Sequence, residues 1–393
     1  MKNIYLLDIY EEHTSGFTTF KREWLEALSG YSHICLHHII ENYPVDEFNI
    51  VHEGDIRRIY IPYIERSKYR NAIIGTLLQQ YISDSPETIF ILNFSPAYRV
   101  LAMLKDYFPS CKAVYVIHDF IWASYVMGDV DKFKRIIKEG EQTEYSDIVC
   151  KAYKDNVKAF ELADKIVCLS EDTYQLLTSF YEINPSRLSL IPNGMKDYAA
   201  LLSETYKKEN GIGKTLIAVG RVTLQKGMFD LLQCFQHVVK AIPDCRLVIA
   251  GDIKKQEIDS LHDAAKQNVY FLGDVDRMTL YDWYREADAG IVPSYYEQCS
   301  YVGIEMKMFG IPVVASDGFG VRNMFNDSNA IMASIGQRDS REYQIHLAES
   351  IIRMLSLPAE KLREYAMLSR KSYLQHYSQI GMRNKYLELI KNI

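Results

Sequence analysis

Residues Pro293–Asp317, PSYYEQCSYVGIEMKMFGIPVVASD, are the part of the sequence that indicates the fold most directly. An apolar strand leads into this stretch, and a loop that carries Glu297 comes next. The apolar spacing then predicts a helix over about Ser300–Phe309, with Glu305 about one turn inside it, and a second strand over Ile311–Ser316. A strand, a loop, a helix and a strand in this order are typical of a parallel sheet covered by helices.

The same alternation of short apolar strands and helices continues along the whole chain and predicts two doubly wound α/β domains. The length of 393 residues also exceeds what one ordinary core holds. We place the first domain at residues 1–196, a polar linker at 197–213 and the second domain at 214–377. Ligands of such sheets bind beyond the carboxyl ends of the strands, and we expect them in a cleft between the two domains.

The composition narrows the possible functions. The chain is 48% apolar and 24% charged, as in soluble globular proteins, and its net charge of −6 gives no basic excess for nucleic-acid binding. It has no run of about 18 apolar residues that would span a membrane, and its apolar N-terminal run is too short for a signal peptide. Seven cysteines without a CxxC pair favour a reducing compartment. We therefore expect a cytoplasmic protein.

Several enzyme classes lack their motifs in this sequence. The segment Asp8–Thr18, after the first strand, holds a single glycine, Gly16, and so cannot form a nicotinamide-type GxGxxG loop. There is no GxSxG elbow and no HExxH zinc motif. Cys35, His37 and His38 lie in a predicted strand, whose alternation divides them between two faces. We therefore expect no metal site.

The loop GRVTLQKG, Gly220–Gly227, follows the predicted strand Thr215–Val219 and precedes a helix. Its terminal glycines permit unusual backbone angles. Arg221 and Lys226 place two cations at the carboxyl edge of the sheet, where a diphosphate would bind both. A solvated loop with two surface cations is the alternative, and the loop alone does not decide between them.

Three further positions lie where predicted strands of the first domain end. Gly16 lies in the first strand–helix turn and is either an ordinary turn glycine or a point where a phosphate approaches the backbone. His118 ends the strand Ala113–Ile117 and is either a structural histidine or a ligand contact. Pro192–Gly194 closes the last strand, and turn chemistry alone explains it.

The carboxylates Glu297 and Glu305 allow two interpretations. A pair of carboxylates is typical of glycoside hydrolysis by an acid and a base. A hydrolase has no need of a cationic loop, however, so Arg221 and Lys226 favour a leaving group that is already a phosphate. The two carboxylates are then better interpreted as acceptors of hydrogen bonds from sugar and ribose hydroxyls. The sequence therefore predicts a nucleotide-sugar site.

Taken together, these segments resemble the retaining family-4 glycosyltransferases (glycosyl transferases group 1), which have the GT-B fold. The resemblance rests on VGR at 219–221 with KG at 226–227, on Glu297 and Glu305, and on GIPVVAS at 310–316. It extends over most of the chain through ADKIVCLS at 163–170, IPNG at 191–194, DCRLVIAGD at 244–252 and FLGD at 271–274. It implies a terminal helix over about 378–393 that returns to the first domain.

The resemblance also implies roles for the donor site. Arg221 and Lys226 would bind the donor diphosphate, and Gly16 would lie under the phosphate. Glu305 would bind the ribose, and Gly273–Val275, with Val275 at its end, would meet the base. The donor would be a UDP- or GDP-sugar, and no metal or other cofactor is expected because the family usually acts without one.

The sugar end of the site follows from the same resemblance. Glu297 and the backbone of Cys299, Ser300 and Tyr301 would hold the transferred sugar, and His118 would contact its hydroxyls. Glu297, His118, Arg221 and Lys226 are thus the predicted catalytic residues. Cys299 and Ser300 stand where many members have Phe and Gly, and Ser15-Gly16 offers one glycine where two are common. These departures leave the donor sugar open.

Our first hypothesis is a retaining, metal-independent hexosyltransferase of polysaccharide biosynthesis with a glycan, lipid-linked sugar or peptide acceptor. A nucleotide-sugar epimerase or phosphorylase of the same fold, or a catalytically idle nucleotide-sugar binder, is the alternative. The basic segment Arg57–Arg70, interleaved with tyrosines, would suit weak contact with anionic lipid at the inner face of the membrane. A solvated face is the alternative there, since the first half of the chain is acidic.

Overall fold

The computed structural model describes residues 1–12, 15–65, 67–202, 213–252 and 267–393. The chain divides into two compact units: unit 1 comprises Met1–Gly194 and Gln379–Ile393, and unit 2 comprises Met195–Ser378. The first residues of the predicted linker belong to unit 2, and residues 203–212 lie outside the described part of the chain. The sequence also predicts a helix over Lys255–Lys266, and these residues lie outside the described part as well.

Unit 1 is built on one eight-stranded sheet. Its strands are β1 (Lys2–Ile9), β2 (Ile34–Tyr43), β3 (Asn49–Glu53), β4 (Ile56–Pro62), β5 (Thr88–Leu92), β6 (Lys112–Ile117), β7 (Lys165–Cys168) and β8 (Leu188–Leu190). They are ordered β3-β4-β2-β1-β5-β6-β7-β8, and only the pair β3–β4 is antiparallel. The central strands β5 and β6 are almost entirely buried, as is the middle of β1, which explains their apolar sequences.

The described α-helices in the Met1–Gly194 part of unit 1 are α1 (Gly16–Leu28), α2 (Arg70–Gln79), α3 (Tyr98–Tyr107), α4 (Ile121–Tyr125), α5 (Val130–Lys134), α6 (Ser146–Leu162) and α7 (Glu171–Ser179). The sequence between Phe120 and Tyr145 has weak apolar periodicity and predicts either a long loop or an inserted helix pair; it contains α4 and α5, followed by a π-helical turn over Arg135–Glu139. Trp122 of α4 stacks on Phe133 of α5 with ring centroids 4.0 Å apart. Aromatic packing thus holds the insertion together where apolar periodicity is weak.

Unit 2 is built on a six-stranded parallel sheet. Its strands are β9 (Thr215–Val219), β10 (Arg246–Ala250), β11 (Val269–Gly273), β12 (Ala289–Val292), β13 (Val313–Ser316) and β14 (Ala330–Ala333), in the order β11-β10-β9-β12-β13-β14. Its described helices are α8 (Tyr198–Leu201), α9 (Met228–Ala241), α10 (Arg277–Glu286), α11 (Tyr301–Met308), α12 (Val321–Met324), α13 (Ser340–Leu355) and α14 (Ala359–Ser372), and a π-helical turn spans Tyr373–Tyr377. The strand–loop–helix–strand prediction for the opening stretch is confirmed.

The last helix, α15 (Gln379–Lys391), belongs to unit 1 although unit 2 precedes it in the chain. The Gln379 side chain donates to the backbone carbonyl and to the buried carboxylate of Glu23 in α1, at 3.2 and 3.1 Å. The rings of Tyr386 and Trp24 meet edge to face at 5.7 Å. These contacts attach α15 to α1, the helix that follows the first strand.

Candidate functional site

The cationic loop, residues 220–227 between β9 and α9, depends on its two glycines. Gly220 has a φ of 132° and Gly227 a φ of 63°, which side chains disfavour. A Cβ on Gly227 would lie 1.9 Å from the carbonyl oxygen of Pro293, so the loop packs backbone to backbone against the residues after β12. Arg221 is exposed at the start of the loop. The expectation of unusual backbone angles at both glycines is confirmed.

Lys226 and Glu297, two of the predicted catalytic residues, contact each other directly. The Lys226 Nζ atom lies 2.6 Å from Glu297 Oε1, although 71 residues separate them in the chain. The Ser294 hydroxyl donates to the same carboxylate oxygen at 3.0 Å. The backbone N–H of Glu297 donates to the carbonyl oxygen of Phe319 at 2.9 Å, which fixes the loop that carries the carboxylate. Sequence reasoning assigned these two side chains to adjacent parts of one ligand, and unit 2 brings them together.

This ion pair sets the electrostatics of the loop. The side chain of Lys226 is 35% exposed and that of Glu297 12% exposed, so both remain accessible from solvent. Because an ammonium group has three N–H donors, Lys226 can keep Glu297 and also donate to a phosphate oxygen. Arg221 adds a second, exposed positive charge in the same loop. The arrangement suits a ligand that has hydroxyl groups beside a phosphate.

The residues Cys299, Ser300 and Tyr301 form the start of α11, and their side chains are buried. Ser300 is the N-cap: its hydroxyl oxygen accepts the N–H of Gly303 at 3.2 Å. The N–H of Ser300 itself donates to the Met324 sulfur at 3.2 Å, a weak acceptor. The partial positive charge at this helix N-terminus suits an anion. Ser300 thus has a structural role that the sequence prediction did not include.

Glu305 lies in the second turn of α11 and receives a hydrogen bond that sequence reasoning missed. The Tyr284 hydroxyl, from α10, donates to Glu305 Oε2 at 2.9 Å. Burial and the charge of Glu305 raise the pKa of Tyr284 well above its usual range, so the hydroxyl remains protonated. The two residues are 21 positions apart on different helices, and no local pattern in the sequence connects them.

The predicted base contact, Gly273–Val275, lies at the carboxyl end of β11, which is an edge strand of the sheet. Gly273 has a φ of 66°, and its carbonyl oxygen accepts the N–H of Gly251 at 2.8 Å. Val275 is half-buried. Asp276 then caps α10 by accepting the N–H groups of its first turn. The segment therefore has the position at the strand ends where a ligand of such a sheet binds.

In unit 1, Gly16 begins α1, which Ser15 caps. The Ser15 hydroxyl oxygen accepts the N–H groups of Phe17 and Thr18 at 3.1 and 3.2 Å, and the Thr18 hydroxyl oxygen accepts the N–H of Ser15 at 2.7 Å. No described atom would lie within 4 Å of a Cβ on Gly16. The described residues therefore leave space for a phosphate to approach the backbone at Gly16, while residues 13 and 14 of the same turn lie outside the described part of the chain.

His118 follows β6 and contacts the same helix. Its ring lies 5.4 Å from the Phe17 ring and 4.4 Å from the Phe20 ring, measured between centroids. Burial lowers the pKa of His118 to about 3, although the charge of Asp8 opposes this shift. The ring is therefore neutral near pH 7. A neutral imidazole exchanges hydrogen bonds with hydroxyl groups, but it supplies no positive charge to a phosphate.

Two further polar residues lie at the ends of neighbouring strands, and sequence reasoning missed both. Asp8, near the end of β1, forms an ion pair with Lys21, whose Nζ atom lies 2.5 Å from Asp8 Oδ2. Asn93 directly follows β5 and is fully buried, and neither atom of its amide group has a hydrogen-bond partner within the described ranges. Because β1, β5 and β6 are adjacent in the sheet, Asp8, Asn93 and His118 share one carboxyl edge. The signal was a polar residue at or directly after the end of an apolar strand, as at His118.

The two histidines of β2, considered above as metal ligands, contact protein side chains. The His37 ring stacks on the Tyr5 ring at 4.2 Å, and His38 Nδ1 lies 2.7 Å from an Arg58 nitrogen. Among the described residues, no group of three His, Cys, Asp or Glu side chains is placed to hold a metal ion.

The predicted lipid-binding segment, Arg57–Arg70, is partly neutralised within unit 1. Arg58 pairs with Glu53 at 2.5 Å, and Arg70 pairs with the buried Glu41 at 2.5 Å. Tyr63 and Tyr69 are exposed, while Arg66 lies outside the described residues. Two of the cations expected to contact lipid are therefore paired with carboxylates, and contact with lipid stays a prediction. Within the described ranges, every helix is too short or too polar for a membrane span.

Comparison with protein families matches residues 213–356 to the model described as glycosyl transferases group 1. An alpha-maltose-1-phosphate synthase of Mycolicibacterium smegmatis is 24% identical over 259 residues, which cover 60% of this chain and 65% of that protein. The chain spans 44% to 65% of the length of the first three curated relatives that it matches.

Two solved structures align over the whole chain. The sucrose-phosphate synthase of Thermosynechococcus elongatus has a TM-score of 0.72 at 19% identity, with 100% of this chain and 99% of that chain covered. A UDP-forming alpha,alpha-trehalose-phosphate synthase of Burkholderia vietnamiensis has a TM-score of 0.73 at 11% identity, with 100% of both chains covered. The chain therefore has the GT-B fold that the sequence predicted.

Proposed function

We propose that this protein, a GT-B chain with a glycosyl transferases group 1 domain over residues 213–356, is a retaining glycosyltransferase that uses a nucleotide-diphosphate sugar. The contact between Lys226 and Glu297 at 2.6 Å is the observation that carries the proposal. The contact supports the proposal because an ammonium group suits a phosphate and a carboxylate beside it suits sugar hydroxyls, and a sugar diphosphate has both groups. UDP is our first choice of leaving group, because a structural neighbour is named as UDP-forming.

In this proposal the bond from the anomeric carbon to the donor diphosphate breaks, and a bond from the same carbon to an acceptor oxygen forms. The proton of the acceptor hydroxyl passes to the leaving diphosphate. Arg221, Lys226 and the N-terminus of α11 stabilise the negative charge that develops on that group. Glu297 holds the sugar and stabilises positive charge at the anomeric carbon. His118 donates to or accepts from a sugar hydroxyl as a neutral ring.

The structure favours donor binding over glycoside hydrolysis on one further ground. Glu297 lies 2.6 Å from Lys226, a cation that suits a phosphate leaving group and that hydrolysis by a carboxylate pair does not need. An epimerase, a phosphorylase or an idle binder would use the same donor contacts, so turnover separates these alternatives. An epimerase would convert the donor without an acceptor, and a phosphorylase would depend on free phosphate.

The test is transfer of labelled sugar from a panel of UDP-, GDP- and ADP-sugars to glycan, lipid-linked sugar and peptide acceptors. We expect transfer from one donor, an unchanged anomeric configuration in the product by NMR, and activity that persists in EDTA. K226A should lose about 10²-fold or more in kcat/KM. K385A changes a lysine of α15, far from the cationic loop in sequence; it serves as the control and should retain activity. Failure of every donor with every acceptor would refute the proposal.

A further inference from the structure

The hydrogen bond between Tyr284 and Glu305 ties two helices of unit 2 at a predicted ligand-binding carboxylate. The hydroxyl of Tyr284 donates to Glu305 Oε2 at 2.9 Å. The Tyr284 ring is buried in a cluster with Tyr281, 6.4 Å away, and Phe309, 5.5 Å away by ring centroids. A ring enclosed in this way has little freedom to rotate, so its hydroxyl oxygen holds one position.

The direction of this hydrogen bond follows from the chemistry of the pair. Burial and the neighbouring carboxylate raise the pKa of Tyr284 well above its usual range, so the phenol keeps its proton at any working pH. An ionised carboxylate only accepts. Tyr284 must therefore donate, and Oε2 of Glu305 is the oxygen that it holds. The carboxylate plane is then fixed relative to α10 as well as to α11.

From this geometry we propose that Tyr284 is a positioning residue for ribose recognition. By holding Glu305 Oε2, it orients the carboxylate so that Oε1 accepts hydrogen bonds from the vicinal hydroxyls of the donor ribose. The inference rests on the proposed function, in which Glu305 binds the ribose. It adds Tyr284 as the residue that makes this contact selective. A carboxylate whose orientation is fixed binds a diol with less loss of conformational freedom than one that rotates.

A merely structural hydrogen bond would act differently on ligands. If Tyr284 only joined α10 to α11, its loss would loosen the site and weaken every nucleotide to a similar degree. If it orients Glu305 toward the ribose, its loss must weaken a ribonucleotide more than a 2′-deoxyribonucleotide. The ratio of the two affinities therefore separates positioning from stability.

The experiment measures Kd by calorimetry for UDP, ADP and GDP and for their 2′-deoxy counterparts, with the wild type, Y284F and Y281F. Y281F is the matched control, because it removes a hydroxyl from the neighbouring buried tyrosine. We expect the wild type and Y281F to prefer the ribonucleotide by about tenfold, as one charge-assisted hydrogen bond supplies. We expect Y284F to narrow this preference to about threefold or less.

Each other outcome also decides the question. Equal preference in the wild type and Y284F would overturn the role of Tyr284 and leave the proposed function intact. If the wild type binds nucleoside diphosphates without preferring ribose, Glu305 does not bind the ribose and the inference is wrong. No binding of any of the six ligands to the wild type would instead refute the proposed function. A Y284F protein too unstable to bind any of them would assign the hydroxyl to folding and overturn the inference.

Discussion

Replacing Gly227 by alanine tests whether the cationic loop and the loop after β12 are as closely packed as the structure shows. The added Cβ would lie 1.9 Å from the Pro293 carbonyl oxygen, whereas ordinary contacts begin at 3.4 Å, so the two loops must separate by about 1.5 Å. The φ of 63° costs an alanine roughly 1–2 kcal/mol by itself. With the displacement added, we expect unit 2 to lose about 3 kcal/mol of stability.

The displacement also separates Lys226 from Glu297, which lie on the two loops. A misplacement of about 1 Å at reacting groups costs on the order of 10²-fold in rate, so we expect a loss of that size in kcat/KM. Thermal melting by circular dichroism and initial rates of sugar transfer measure the two effects.

Gly54 provides the control, because its φ of 58° is similar but a Cβ there meets no described atom within 4 Å. G54A should cost about 1 kcal/mol and leave transfer unchanged. If G227A proved as mild as G54A in both assays, the close contact with Pro293 would be wrong.

Three further changes are expected to have separable effects. E297Q removes the charge that neutralises Lys226, so UDP should bind about threefold to tenfold more tightly while transfer falls; calorimetry showing unchanged affinity would contradict this. Burial of Lys307 lowers its pKa to about 7, below the 10.5 of an unfolded lysine. The unfolded chain therefore binds more protons between these values, and wild-type stability should rise with pH from about 7 to about 10, by at most about 4 kcal/mol. K307M should lack this rise in denaturant titrations, and identical pH profiles would show that the lysine is not buried as described. N93L replaces an unpartnered buried amide by an apolar group of similar size, so stability should stay the same or increase by about 1 kcal/mol while transfer weakens; a clear loss of stability would show that the amide is satisfied.

The strands were the most predictable part of the fold. The strand predicted over Thr215–Val219 matches β9 residue for residue, and the apolar runs Thr88–Leu92 and Ala289–Val292 form β5 and β12. These strands are buried on both faces of parallel sheets and therefore read as continuous apolar runs. The strand Asn49–Glu53 escaped prediction because it is a polar, antiparallel edge strand with exposed residues and no apolar run.

The candidate site divides in a similar way. Glycines of the cationic loop were predictable, because positive φ angles restrict the choice of residue. The start of α11 was predictable to within one residue, since Ser300 is an ordinary N-cap. The neutral state of His118 was not predictable, because it depends on burial against Phe17 and Phe20, which come from a helix about 100 residues earlier.

The opening stretch, Pro293–Asp317, therefore determined by itself a parallel α/β architecture and two carboxylates near a helix N-terminus. Local periodicity and turn chemistry suffice for that, since they act between residues close in sequence. Only the tertiary structure decided that Lys226 pairs with Glu297 and that Tyr284 holds Glu305. Those contacts join separate strand–helix units, and their geometry is set by how the sheet orders its strands, which no local sequence pattern records.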